Sequence, residues 1–118
     1  MELKETIELM QSGDYRERFK AEYLQTKIRY EKLKAFNTRI EAACRTGGDG
    51  IPNYLACDRH LNQHAVVQMP KHDCPDDLLR EQQSVMGEYL HLLEVRAVIE
   101  GIDLVHIHEI GECRAKTE

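Results

Sequence analysis

Residues Asp76 to Ile102 read DDLLREQQSVMGEYLHLLEVRAVIEGI, and this stretch decides the fold class. Its apolar residues (Leu78, Leu79, Val85, Met86, Tyr89, Leu90, Leu92, Leu93, Val95, Val98, Ile99 and Ile102) recur at three- and four-residue intervals, the period of a helix rather than a strand. Pro75, Asp76 and Asp77 supply a turn and place negative charge at the positive end of the helix dipole. The stripe is wide early and runs nearly all round in the last three turns. A helix that is apolar all round has to be buried, and one neighbouring helix cannot cover it. Arg96 and Glu100 lie on the apolar side at i,i+4, spaced to pair with each other or with a partner chain.

A second long helix precedes it, from about Tyr15 to Cys44. Asp14 is placed as its N-cap, and Glu17 three residues on completes a capping-box pattern. Tyr15, Phe19, Tyr23, Tyr30, Leu33 and Ile40 share one broad stripe, which Phe36 and Ala43 widen. Almost opposite lie Ala21, Leu24, Ile28, Ala35 and Ala42, so something is expected to pack on both sides, either a partner subunit or a leading helix over Glu2–Gln11. Ser12 and Gly13 end that leading helix, Gly13 as a C-terminal cap. A helix of roughly thirty residues is about 45 Å long. Two of them joined by an insert over residues 45–75 describe a long antiparallel helical hairpin rather than an enzyme cleft. The expected architecture is therefore mainly α, one domain over residues 1–118. A small β-ribbon is expected from the insert (Tyr54–Cys57, Ala65–Met69) and the C-terminal segment (Asp103–Ile110).

The formal net charge is −5, which argues against non-specific nucleic-acid binding, because phosphate neutralisation needs clustered cations. The basic residues of the first helix are interleaved with Glu17, Glu22 and Glu31, the pattern of a solvated face. No run approaches 18 apolar residues, so no membrane span is expected. The first ten residues lack a signal peptide's layout, and the cytoplasm is the expected location. Four cysteines without CxxC spacing then read as thiols or metal ligands rather than disulfides.

The insert carries Cys57-x-x-His60-x-x-x-His64, then His72-x-Cys74. Thiolate and imidazole are zinc's preferred ligands, and a thirty-residue loop without a core gains much from a structural ion. The spacing is not that of a standard finger, and polar loops carry histidines for no such reason. Structural zinc is the one cofactor these residues would imply. Thr46-Gly47-Gly48-Asp49-Gly50 is glycine-rich but follows a helix and lacks the Walker Gly-Lys-Ser/Thr ending, so it reads as a helix exit. Ser12 and Ser84 are the only serines, and neither sits in a nucleophile elbow. No complete catalytic constellation is present, and a non-enzymatic protein is expected.

The two helices, YRERFKAEYLQTKIRYEKLKAF (Tyr15–Phe36) and PDDLLREQQSVMGEYLHLLEVRAVIEGIDL (Pro75–Leu104), together resemble a family of small helical-hairpin proteins of tailed phages and prophages related to a crAss-like phage protein. Arg18, Leu33, Phe36, Leu78, Leu79, Gln82, Met86, Tyr89, Leu93 and Arg96 stand where that pattern puts them. The resemblance spans about half the chain and leaves out the insert and the residues after Leu104. It implies a phage origin and a non-enzymatic accessory role, in the cytoplasm of an infected bacterial host.

Two functions follow as expectations. The first is a counter-defence binding protein that sequesters a nucleotide immune signal or occludes a host defence protein. In the sequestering form, a homo-oligomer would grip phosphates with Arg16, Arg18, Arg45, Arg59 or Arg96 and stack bases on Tyr15, Tyr23, Tyr54 or Tyr89. The second is a structural, self-assembling helical oligomer with no ligand.

Overall fold

A computed structural model describes residues 1–48 and 66–104 of the chain. The described chain is mainly helical. A 3-10 turn over Leu3–Thr6 runs into a short helix, α1 (Ile7–Met10), followed by two long helices, α2 (Tyr15–Thr46) and α3 (Asp76–Glu100). Of the expected β-ribbon, the described parts, residues 66–69 and 103–104, form no strand. Tyr54–Cys57 and Val105–Ile110 lie outside the described residues. The long helices begin where the sequence places them. α2 ends two residues beyond Cys44 and α3 two before Ile102.

Local chemistry fixes these ends. The Asp14 carboxylate accepts from the backbone N–H of Arg16 at 3.0 Å, satisfying one of the donors a helix start leaves open. The capping box does not close, because the Asp14 N–H donates to Ser12 Oγ at 3.0 Å instead. Gly13 is likewise not a left-handed cap; that backbone conformation occurs at Gly47 (φ 86°) and Gly101 (φ 72°). Both long helices stop on these glycines. The Gly48 N–H reaches back to the Ala43 carbonyl and the Ile102 N–H to that of Ala97, each at 2.8 Å, the six-to-one closure of a Schellman motif.

The chain divides into two compact units, and each long helix contributes to both. The first unit comprises residues 1–30 and those from 84 onward. Phe19, Tyr23 and Leu24 of α2 pack with Leu90, Leu93 and Ala97 of α3 and with Ile102 and Leu104 beyond it, while Leu9 and Tyr30 lie against the cluster. The helix segments run antiparallel here, since Tyr15 meets Glu100, Tyr23 meets Glu94 and Tyr30 meets Gly87. The leading segment packs on the first part of the second apolar face of α2, where Ala21 and Leu24 are buried, whereas Ala35, expected on the same face, is exposed. Leu9 joins the core, and Gln25 Nε2 donates to Thr6 Oγ1 at 2.8 Å. Thr6 is fully buried and satisfied, its hydroxyl also donating to the Leu3 carbonyl.

In α3 the apolar surface is wider than its single helical neighbour covers. Leu90, Leu93 and Ala97 are buried, but Val85, Leu92, Val95, Val98 and Ile99 are exposed. Among the described residues, one face of this helix is covered and the apolar residues opposite are exposed.

The second unit comprises residues 31–83. Ile40 and Ala43 are buried within it. The Asn37 side-chain amide donates to the Leu79 carbonyl (3.2 Å) and to Gln83 Oε1 (2.9 Å). Phe36 meets the His72 ring edge-on, centroids 5.7 Å apart.

Candidate functional site

Three of the expected ligand-contact residues converge in the first unit, at the C-terminal end of α3. Arg16, the second residue of α2, donates from Nη1 to the Gly101 carbonyl (3.1 Å) and from Nη2 to that of Glu100 (2.8 Å). These are carbonyls that the end of a helix leaves without partners, and a cation there also complements the helix dipole. The Tyr15 hydroxyl donates to Glu100 Oε1 at 2.9 Å and accepts from Arg96 Nη2 at 2.6 Å. Arg96 and Glu100 form the anticipated i,i+4 pair at 3.4 Å. The hydrogen bond to the Glu100 carboxylate, with desolvation behind it, raises the Tyr15 phenol above its ordinary value, against the opposing pull of Arg96. The cluster is exposed and offers an aromatic ring beside two guanidinium groups, the combination that takes a base and a phosphate.

The other described candidates are separate from it. Arg18 donates to the Ser12 carbonyl at 2.9 Å, Tyr23 donates to Glu94 at 2.9 Å and Tyr89 donates to Glu22. Arg45 pairs with Glu41 at 2.8 Å. Arg59, Tyr54, Cys57, His60 and His64 lie outside the described residues.

Of the suggested metal ligands, His72 and Cys74 are described, and Cys74 is an exposed free thiol. His72 Nδ1 lies 2.7 Å from the Pro70 carbonyl and Nε2 lies 2.9 Å from Asp76 Oδ1. Both partners are acceptors, so both ring nitrogens donate only as the imidazolium. Accordingly the Pro70 carbonyl first, and the Asp76 carboxylate second, raise the His72 pKa above its ordinary value. A metal would have to displace one of these bonds to reach a lone pair. Among the described residues no group of three or more His, Cys, Asp or Glu side chains is placed to hold a metal ion.

The second unit also holds a concavity that the sequence reading missed. About 450 Å³ in volume, it is lined by residues of α2 and α3 that include Lys34, Asn37, Thr38, Glu41 and Arg80. That size suits a small organic ligand. The buried Asn37 Oδ1 has no hydrogen-bond partner among the described residues, an acceptor that ordinarily costs stability when left unmet. Asn37 interrupts the run of Leu33, Phe36 and Ile40 in mid-helix, where asparagine is a poor helix former. A polar residue in the middle of an apolar stripe is the signal that could have located the concavity.

No described helix is long and apolar enough to cross a membrane. A search of curated proteins and of solved structures gives no match, and no comparison supports the crAss-like relationship. The family model described as Sequestin matches residues 58–99, which take in the later insert and nearly all of α3.

Proposed function

We propose that this chain is a binding protein that works stoichiometrically, sequestering a small nucleotide signal rather than transforming it. The match of residues 58–99 to Sequestin carries the reading, because that name denotes sequestration and the matched span includes Arg59, Tyr89 and Arg96. Support comes from the concavity, where Lys34 and Arg80 supply cations. The exposed Tyr15, Arg16 and Arg96 add a ring and guanidinium groups. A homo-oligomer would bring further walls to such a site. In this reading the gene is phage-borne and the sequestered molecule is a host immune signal in the cytoplasm of the infected cell.

Differential scanning fluorimetry with cyclic and linear nucleotides tests it. A ligand that binds only the folded chain raises Tm by mass action, by an amount that grows with concentration. The proposal expects at least one such nucleotide, recovered unaltered after heat release. A panel without any shift overturns it, and a chemically changed nucleotide replaces sequestration with catalysis. The occluding form, in which the partner is a host defence protein, would leave the panel silent and yield a stoichiometric complex with that protein. A second reading, a structural helical assembly without ligand, is favoured by the uncovered apolar face of α3.

A further inference from the structure

Val98 and Ile99 are 81% and 77% exposed, and Val85, Leu92 and Val95 are exposed on the same side of α3, away from the buried Leu90, Leu93 and Ala97. Isolated surface valines and leucines need no explanation, but five on one face over fifteen residues form a continuous patch. Their order is informative. Val85, Leu92 and Ile99 repeat every seven residues, and Val95 lies three residues after Leu92, the equivalent position after Val85 being the exposed Glu88. A seven-residue apolar repeat is the pattern by which one helix lies along another at a shallow angle, knobs into holes.

We propose that this face pairs with the same face of a second copy, the two α3 helices antiparallel about a two-fold axis at Leu92. The even spacing of the apolar positions sets that register. It places Val85 against Ile99 of the copy and Leu92 against its counterpart. Charge selects the direction. In the antiparallel register Glu88 of each copy comes level with Arg96 of the other, whose half-exposed side chain keeps its bonds to Tyr15 and Glu100, whereas a parallel pair would set Glu88 against Glu88 and Arg96 against Arg96. The patch is on the order of 500 Å² per copy, or about 1,000 Å² for the pair, at the lower bound for a specific interface. An isologous contact uses a single patch twice, so no second surface is required. The pairing stands on the apolar face alone and does not depend on any ligand.

Light scattering and sedimentation of the full chain without ligand test the pairing. The wild type is expected to be a dimer at micromolar concentration. The double variant Leu92→Glu, Ile99→Glu is expected to be a monomer with unchanged helical circular dichroism, since neither side chain belongs to the folded core. A monomeric wild type overturns the proposal, and so does a variant that stays dimeric. If the double variant loses helicity, Val98→Lys, at the patch rim, gives the same readout through a weaker dimer, and an undiminished dimer counts against the interface. The direction is read by oxidative cross-linking above the wild-type background. Mixed Val85→Cys and Ile99→Cys proteins should link to each other faster than either links to itself. Preferential self-linking overturns the antiparallel register.

Discussion

The Arg96 guanidinium lies over the ring of Phe19, its central carbon 4.9 Å from the ring centroid. Phe19 is buried and Arg96 is half exposed, so the cation roofs an aromatic of the core while its edge bonds Tyr15 and Glu100. Arg96→Ala is expected to lower unfolding stability by about 1 kcal/mol. Arg96→Lys should recover only part of the loss, because an ammonium cannot stack on Phe19 and reach both partners in one plane. Urea titration with an unchanged m-value would show it; full recovery by lysine would mean that charge alone matters.

The end of α3 depends on backbone handedness at Gly101. A methyl group there would touch nothing within 4 Å, so Gly101→Ala isolates the cost of holding φ at 72°. The expected loss is about 1 kcal/mol. Gly13 supplies the control, being equally open but outside the left-handed region. Gly13→Ala should leave the thermal midpoint nearly unmoved.

Gly87 lies inside α3 against Tyr30. An added methyl would sit 3.4 Å from the Tyr30 ring, ordinary contact, while alanine suits a helix interior better than glycine by about 1 kcal/mol. Gly87→Ala should therefore raise Tm. Gly87→Leu should lower it, since its larger side chain has to displace the ring. A destabilised Gly87→Ala would show that the two helices cannot yield even slightly at this crossing.

The His72 contacts give a pH signature with a definite sign. A histidine whose folded pKa lies above its ordinary 6.5 holds its proton more tightly in the folded chain. Its stabilising contribution is complete below the unfolded value and fades as pH rises through the folded one. The Tm advantage of wild type over His72→Gln should be greatest below 6.5, the ordinary value, and shrink as pH rises above it through the folded pKa. An NMR titration of the His72 ring should give a midpoint above 6.5. A midpoint below it would mean that the bonds to Pro70 and Asp76 do not hold in solution.

Much of the helical layout was legible in the residues. Asp14 marked the start of α2 and Pro75 that of α3, because capping is local chemistry that a few side chains settle. The first part of the second apolar face of α2 was legible too, and Leu9 and Thr6 supply its cover. Burial of α3 was not legible. Apolar character all round called for complete cover, yet among the described residues the buried positions of α3 are those of the face bearing Leu90, Leu93 and Ala97. Pattern records what a residue would gain from burial, not whether a neighbour exists to bury it. The site was harder still. Tyr15, Arg16 and Arg96 were chosen for charge and ring, but their meeting depends on residues some 80 positions apart. Asn37 escaped notice because an asparagine on a helix reads as surface until its neighbours are known.

Thr46 gives the insert its character. At the last position of α2, its hydroxyl donates to the Ala42 carbonyl and accepts the Val67 N–H at 2.9 Å. Next to it, Gly48 lets the backbone at Val67 come so close that any side chain would collide. The two strands of chain bordering the insert are thus pinned together at their base. The entropy of closing a loop grows only with the logarithm of its length, so a pinned base makes what lies between nearly free to vary. The length of chain between Gly48 and Val67 can therefore change at small entropic cost without disturbing the contacts at its base.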